Sequence, residues 1–390
     1  MKTKGNTAPQ NRIIIYIGGF ELPDRTPSAV RVIGNALLLK ELNYKVIIIG
    51  RLPRSERSEN PKRSTNINGF DCYDWEFQGR FDTLKSVVRE VGENNCYAVI
   101  AYNFRAIDLL RVINYTRNMN IIPVADCTEW YGWGGRSVFH SMYNYIDTEF
   151  RMRFLAKKTK NIICSSSFLR NYYSNINNIV WPFSIDSKLD HWQPLSNIQK
   201  HTPILFVYSG SPGSGMSKDK INLSIVAFYY LKKNGYDFVY KIIGITKEQY
   251  TSVFPEHSYM IEFLDGSVDF IGRVSHSRSL EFLKYADFMI FIRPNNRVSN
   301  AGFPTKVVEA ITLGIPIITN NVGDAGMYIK NKYNGLLFED IDSNIEESLE
   351  ESLNMSQDDI FKMKESARKL NPFSIQNMKG VVGKFMNELT

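Results

Sequence analysis

The sequence predicts an α/β protein made of two parallel-sheet domains in tandem. Three observations carry this. Short, wholly apolar runs rich in Ile and Val alternate with stretches of helical periodicity, as strands buried on both faces and their crossover helices do. The alternation restarts after an irregular, proline-containing stretch near residue 190. The length, 390 residues, suits two or three domains at roughly 150 residues each. With 43% apolar and 22% charged residues, the composition is that of a globular chain and excludes a disordered or coiled-coil protein.

Each element follows in order. Ile13 to Ile17 is the first strand and ends in Gly18-Gly19. After a loop with Pro23 and Pro27, Ser28 is the expected N-cap, and Val30, Ile33 and Leu37 hold helical spacing to near Asn43. Val46 to Ile49 is the next strand, completing a right-handed βαβ unit. Residues 51–70, rich in Arg, Ser, Asn and Pro, read as a mobile surface loop. Strand Tyr97–Ala101, helix Ala106–Thr116, strand Ile121–Ala125, helix Phe150–Lys158 and strand Asn161–Cys164 continue the pattern. A second series begins with strand Ile204–Tyr208 and runs through helix 219–233, strand 238–243, helix 277–285, strand 287–292, helix 305–313 and strand 315–319. Pro372–Leu389 is a terminal helix, expected to return to the first domain. The expected division is a Rossmann-like domain over 1–185, a linker over 186–203, a second Rossmann-like domain over 204–371 and the terminal helix over 372–390.

No apolar run reaches the ~18 residues of a membrane span. The polar start, Met1–Asn11, and the short apolar run behind it do not form the ~7–15-residue core of a signal peptide. A cytoplasmic location is expected. Cys72, Cys96, Cys127 and Cys164 are too far apart for a zinc or redox motif and are expected to be reduced thiols. Residues 1–185 hold 25 Lys and Arg against 16 Asp and Glu, and residues 186–390 hold 22 against 24. The basic half fits an anionic partner or an ordinary solvated surface. No nucleic-acid module accompanies it, so nucleic acid is not an expected partner.

Ligands of open parallel sheets bind beyond the carboxyl ends of the strands, so the loops there carry the candidate chemistry. In Asn300 to Pro316, Gly302-Phe303-Pro304 opens a helix and Gly314 closes it. Unpaired N–H groups and the helix dipole make its start an anion site, Lys306 adds a charge, and Thr305 and Glu309 share a face. A diphosphate there leaves Glu309 one turn deeper, where it can accept from a ribose diol; the alternative is a capped core helix. The small-residue loop Tyr208–Asp219 follows the first strand of the second domain; Lys218 can reach a phosphate, and the P-loop ending is absent. Arg293, at a strand end, suits phosphate or carboxylate. Gly18-Gly19-Phe20 lacks the third glycine of a dinucleotide fingerprint and leaves a close backbone approach to a ligand open. Asp126 to Gly135, with Glu129, Trp130, Tyr131 and Trp133, fits a sugar or polar acceptor, or an aromatic mini-core beneath a loop. Asp340 and Asp342 stand far from other ligand types, and His140, His191, His201, His257 and His276 lack metal spacing. No metal site and no cofactor is expected.

At these residues the chain resembles the GT-B glycosyltransferases. GFPTKVVEAITLGIPII, NNVGD and NGLLFE are similar to the donor-binding signature of retaining glycosyltransferase family four. The opening GGF with SAVRVIGNALLLKELNYKVIII, and IGRVSHSRSLEFLKYADFMIF, resemble that family over most of the chain. YSGSPG with KD, and the EWY stretch, look like a subgroup of bacterial surface-polysaccharide synthesis. The resemblance implies two domains facing a cleft. It implies that Glu309 holds the ribose of a nucleotide sugar and that Gly302, Phe303, Pro304, Thr305 and Lys306 face diphosphate and sugar. It further implies that Lys218 contacts phosphate, that Gly272, Arg273 and Val274 face the base, and that Gly18 and Gly19 lie near the donor phosphates. Two positions depart from the pattern. The first glutamate of the family's pair is Ala301, and the usual phosphate arginine is Ser211, with Arg293 as the candidate to supply that charge.

The function expected is transfer of a sugar from a nucleotide-sugar co-substrate to a saccharide hydroxyl, retaining and without metal. The acceptor is expected to be lipid-linked, at the inner face of an anionic membrane that Arg151, Arg153, Lys157, Lys158 and Lys160 would contact. Asp126 and Glu129 are the acceptor-side candidates for binding or activating the hydroxyl. A GT-B sugar-nucleotide epimerase and a non-catalytic nucleotide- or polysaccharide-binding protein remain the alternatives.

Overall fold

A computed structural model of the chain describes residues 12–53, 64–76, 78–132, 138–195, 202–339, 341 and 345–390, with backbone alone at 138–140. Trp133, Gly134, Gly135, His201, Asp340 and Asp342, and the side chain of His140, lie outside the described residues. The chain forms two compact units. One comprises Met1–Asp186, Ala301–Phe303 and Ile375–Thr390, the other Ser187–Asn300 and Pro304–Ser374.

The strands of the first unit are β1 (Ile13–Glu21), β2 (Lys45–Arg51), β3 (Thr65–Ile67), β4 (Phe70–Asp74), β5 (Cys96–Tyr102), β6 (Ile122–Cys127), β7 (Asn161–Cys164) and β8 (Asn177–Val180). They form one sheet in the order β3-β4-β2-β1-β5-β6-β7-β8, parallel except for the β3–β4 hairpin. Its helices are α1 (Pro27–Glu41), α2 (Arg80–Val91), α3 (Ala106–Asn118), α4 (Val138–Phe150), α5 (Ala156–Lys158) and α6 (Ser167–Tyr172). A π-helical turn, Arg151–Leu155, joins α4 to α5. The buried faces of β1, β2 and β5 pack on α1 on one side and on α2 and α3 on the other.

The second unit has the strands β9 (Ile204–Ser209), β10 (Phe238–Ile243), β11 (Val268–Gly272), β12 (Phe288–Phe291), β13 (Ile317–Asn320) and β14 (Gly335–Phe338). Their order is β11-β10-β9-β12-β13-β14, and every pairing is parallel. Helices α7 (Ile221–Lys233), α8 (Lys247–Val253), α9 (Ser258–Phe263), α10 (His276–Tyr285), α11 (Arg297–Ala301), α12 (Thr305–Leu313), α13 (Ala325–Tyr328), α14 (Ile345–Leu353) and α15 (Gln357–Lys369) intervene or follow. The last helix, α16 (Ile375–Asn387), packs Val382, Phe385 and Met386 into the core of the first unit. All four cysteines are free and buried. No helix among the described residues is long and apolar enough to cross a membrane.

Several expectations are corrected. The first strand does not stop at the two glycines but continues to Glu21, with an irregular register after Ile17. The cap of α1 is Thr26, whose hydroxyl accepts from Ala29 N, and Pro27 occupies the first turn; a proline there gives up an N–H that has no helical partner anyway. Within residues 51–70, Thr65–Ile67 is a strand and turns through Asn68 and Gly69, both at positive φ, the Asn-Gly hairpin chemistry. The helix expected from Phe150 begins at Val138 instead.

Candidate functional site

In the second unit β9 is central, between β10 and β12, so the carboxyl ends of β9 and β12 frame the place where such a sheet binds ligands. β9 runs into Gly210, whose φ is +149° and whose Cβ, if present, would lie 1.9 Å from Lys306 Cε. The glycine therefore lets the Lys306 side chain lie across the loop. There the ammonium pairs with Asp219 Oδ2 and donates to the Tyr208 hydroxyl at 3.1 Å. Tyr208 donates to the same carboxylate oxygen at 2.7 Å. Arg293, just beyond β12, donates from Nε to Asp219 Oδ1 at 2.9 Å, while Asn320 at the end of β13 bonds its backbone N–H and carbonyl.

Asp219, Arg293 and Tyr208 are buried, and Lys306 is nearly so. Burial alone would raise the Asp219 carboxyl, but Lys306 and Arg293 hold it well below the usual carboxylate range. Burial pushes the Lys306 ammonium down to about 8, against the pull of Asp219. Two cations share one carboxylate, so the cluster keeps one net positive charge in a place poor in water.

Lys306 is the second residue of α12, and Pro304 at its N-cap offers no side-chain hydrogen bond. The first turn carries no acidic residue. Open N–H groups and the helix dipole therefore add to the positive field. One turn on, Glu309 is buried, and its Oε1 lies 3.0 Å from His276 Nε2. His276 opens α10, after the Gly272-Arg273-Val274 stretch that leaves β11. Its ring meets the Trp192 edge at 5.9 Å between centroids.

The structure thus joins Lys306 to Arg293 through Asp219, and Glu309 to the 272–274 stretch through His276. Ser211 and Lys218 are exposed on the β9 loop, Arg273 is exposed, and Val274 is half-buried. Gly302, Phe303, Pro304 and Thr305 are half-buried on the approach to α12. Arg293, expected to supply a phosphate charge, is buried and donates from Nε to Asp219, so its charge is shared with the cluster. Asp219 and His276 were not singled out by the sequence. A carboxylate next to Lys218, between a small-residue loop and an apolar helix, was the available signal for Asp219.

In the first unit the candidates separate. Asp126 is buried and accepts from both terminal nitrogens of Arg31, at 2.6 and 3.0 Å, and from the Tyr16 hydroxyl. Arg31 also reaches the carbonyls of Trp181 and Pro182. Asp126 is thus a structural anchor and not the acceptor-side group expected, because its strand position faces the core. Glu129 is half-buried and takes hydrogen bonds from Tyr131 and, at 3.4 Å, from Asn103. Trp130 is buried against Tyr172 and Phe168, the mini-core alternative. Gly18 is buried, and a Cβ there would strike the Phe20 ring at 2.8 Å; Gly19 is exposed, 3.7 Å by the same measure from an Arg80 nitrogen. Gly18 therefore leaves the room that the Phe20 ring occupies. Ala301 is fully buried beside Trp130 and Cys164, and its carbonyl accepts from Ser165 and Ser166 at 2.7 and 2.9 Å. That packing explains why position 301 carries no longer side chain.

Residues 200–370 match the family model described as glycosyl transferases group 1. The chain is similar in fold to sucrose-phosphate synthase of Thermosynechococcus elongatus, with a TM-score of 0.70 at 14% identity over 97% of this chain and 99% of that one. The chain has the GT-B fold and carries a glycosyl transferases group 1 domain over residues 200–370. The chain is also similar in fold to Anabaena HepE, solved with UDP-glucose (TM-score 0.65, 12% identity, 97% and 100% covered). WaaG, a glycosyltransferase involved in lipopolysaccharide biosynthesis, gives a TM-score of 0.61 at 12% identity over 96% and 100%. A search of curated proteins by sequence finds no match. The match over 200–370 covers every member of the Asp219–Lys306–Arg293 cluster and the Glu309–His276 pair.

Proposed function

We propose that this glycosyltransferase moves a sugar from a nucleoside-diphosphate sugar to a hydroxyl of a lipid-linked saccharide, retaining the anomeric configuration and using no metal, in surface-polysaccharide synthesis. The observation that carries the donor reading is the net-positive Asp219–Lys306–Arg293 cluster at an uncapped helix start. The UDP-glucose bound by HepE supports the same class of donor.

In this reading the diphosphate lies at the start of α12. As the anomeric carbon–oxygen bond breaks, charge collects on the diphosphate, where Lys306 and the first N–H groups of α12 stabilise it. Lys218, exposed on the β9 loop, adds a second cation. Glu309 accepts from the ribose diol, and His276 fixes its carboxylate. The acceptor oxygen bonds to the anomeric carbon on the same face, and its proton passes to the departing diphosphate. Glu129 is the acceptor-side carboxylate, with Tyr131 beside it. The basic first half of the chain supports an anionic, lipid-diphosphate carrier. Ala301 leaves the donor sugar without the family's glutamate contact, so recognition of the sugar falls to other groups.

The test is incubation with nucleotide sugars in chelator, with nuclear magnetic resonance of the released or transferred sugar. Diphosphate release that is lost in Lys306→Met, with the anomeric configuration kept, is the expected result. Turnover that needs added metal, or an inverted product, contradicts the mechanism.

A further inference from the structure

We propose that the outer face of the α4–α5 stretch is a contact surface for anionic lipid. The inference deepens the lipid-linked acceptor reading and rests on it. Met142, Ile146, Phe150 and Phe154 are 42, 58, 48 and 58% exposed. They recur every four residues and so form one stripe, about 18 Å long at 1.5 Å per residue. Tyr143 lies at its start, 48% exposed, and Phe150 and Phe154 touch ring to ring. The opposite face, with Ser141, Thr148, Met152 and Leu155, is buried. The helix is therefore already packed on one side, and the apolar stripe is surplus to the fold. A row of large apolar side chains left in water marks a contact surface.

The charges beside the stripe select the partner. The Arg105 guanidinium lies 5.6 Å from the centre of the Tyr143 ring at one end. Lys157 and Lys158 are exposed at the other. The acidic residues of the helix are turned to other work: Asp147 accepts from the Ala106 N–H at 3.0 Å, and Glu149 from Trp130 Nε1 and from Arg153. Arg151, expected at a membrane, is buried and bonds the carbonyls of Phe104 and Glu129. An apolar stripe with cations at both ends complements a bilayer whose acyl boundary takes the rings and whose anionic headgroups take the Lys and Arg.

The full chain is sedimented with vesicles of phosphatidylglycerol and phosphatidylcholine in equal parts, and with phosphatidylcholine alone. Binding to the first and little to the second is expected. Each basic residue at such a surface is worth about fivefold in partition. Arg105→Gln, Lys157→Gln and Lys158→Gln together should weaken binding about a hundredfold, and Ile146→Ser, Phe150→Ser and Phe154→Ser together should do the same. Equal recovery with both vesicles, or either triple variant binding as the wild type does, overturns the proposal. So does a wild-type dimer that only the apolar variant loses, which would make the stripe a contact between copies. Nucleoside-diphosphate melting shifts in the same variants report the second unit. If they are kept while vesicle binding fails, only the lipid surface falls; if the wild type shows none, the donor reading itself fails.

Discussion

Arg293 Nε lies 2.9 Å from one oxygen of Asp219, and the Lys306 ammonium pairs with the other. One buried carboxylate thus holds two cations whose own desolvation it offsets. Removing one partner of a buried ion pair leaves an uncompensated charge and costs about 3–5 kcal/mol. Asp219→Ala should lower unfolding stability by that amount in urea titration, and Asp219→Glu should recover part of it. A loss within experimental scatter would show that the cluster does not hold the loop.

Lys306 gives the pH dependence. Burial lowers its ammonium to about 8, below the ~10.4 of an unfolded lysine. Between those values the unfolded chain binds more protons, so this group makes stability rise with pH there. Diphosphate binding needs the protonated form and so should weaken as pH rises through about 8. Calorimetric titration checks both arms, and Lys306→Arg, always charged, should remove the fall in affinity.

Glu309 and His276 make a second pair. A hydrogen bond to a charged group is worth about 1.5–3 kcal/mol. Glu309→Ala should weaken nucleoside-diphosphate binding about ten- to a hundredfold, and His276→Ala should have a smaller effect by freeing the carboxylate. Equal affinity in Glu309→Ala would place the ribose elsewhere.

Gly210→Ala tests the route of Lys306. The new Cβ would fall 1.9 Å from Lys306 Cε, at a φ of +149° that L-residues avoid. The variant should lose more than about 1 kcal/mol of stability and bind diphosphate more weakly, both read by thermal melting. Wild-type melting with and without ligand would remove the glycine's assigned role.

Asp126 and Glu129 should part company. Asp126→Asn weakens the buried Arg31 pair and should cost several kcal/mol. Glu129→Gln should stay within ±0.5 kcal/mol and lower transfer to acceptor while leaving donor hydrolysis unchanged. Paired melting and turnover measurements separate them; full transfer by Glu129→Gln would remove it from the acceptor side.

Helix α12 was legible to the residue. Gly-Phe-Pro before it and Gly314, left-handed at +71°, after it bound Thr305–Leu313. β7 was equally plain, because Ile162–Cys164 is a short apolar run and the whole strand is buried. What stayed hidden depends on long-range partners. Asp126 reads as a site carboxylate until Arg31, 95 positions earlier, is seen to take both its oxygens. Arg293 likewise reads as a free cation until Asp219 is placed beside it. The start of α4 was masked by the glycines of residues 132–135, which suggest a loop. The Asn68-Gly69 hairpin was readable in principle, but its strand of three residues carried too little periodicity among polar neighbours.

The most direct test of the central claim is thermal stabilisation by a panel of nucleoside diphosphates in chelator, on the wild type and on Lys306→Met and Glu309→Ala. A ligand at a hundred times its dissociation constant adds about 2.7 kcal/mol to stability. The account predicts a shift with one diphosphate that both substitutions abolish. A shift that survives both, or none with any diphosphate in the wild type, would contradict a donor site at the start of α12.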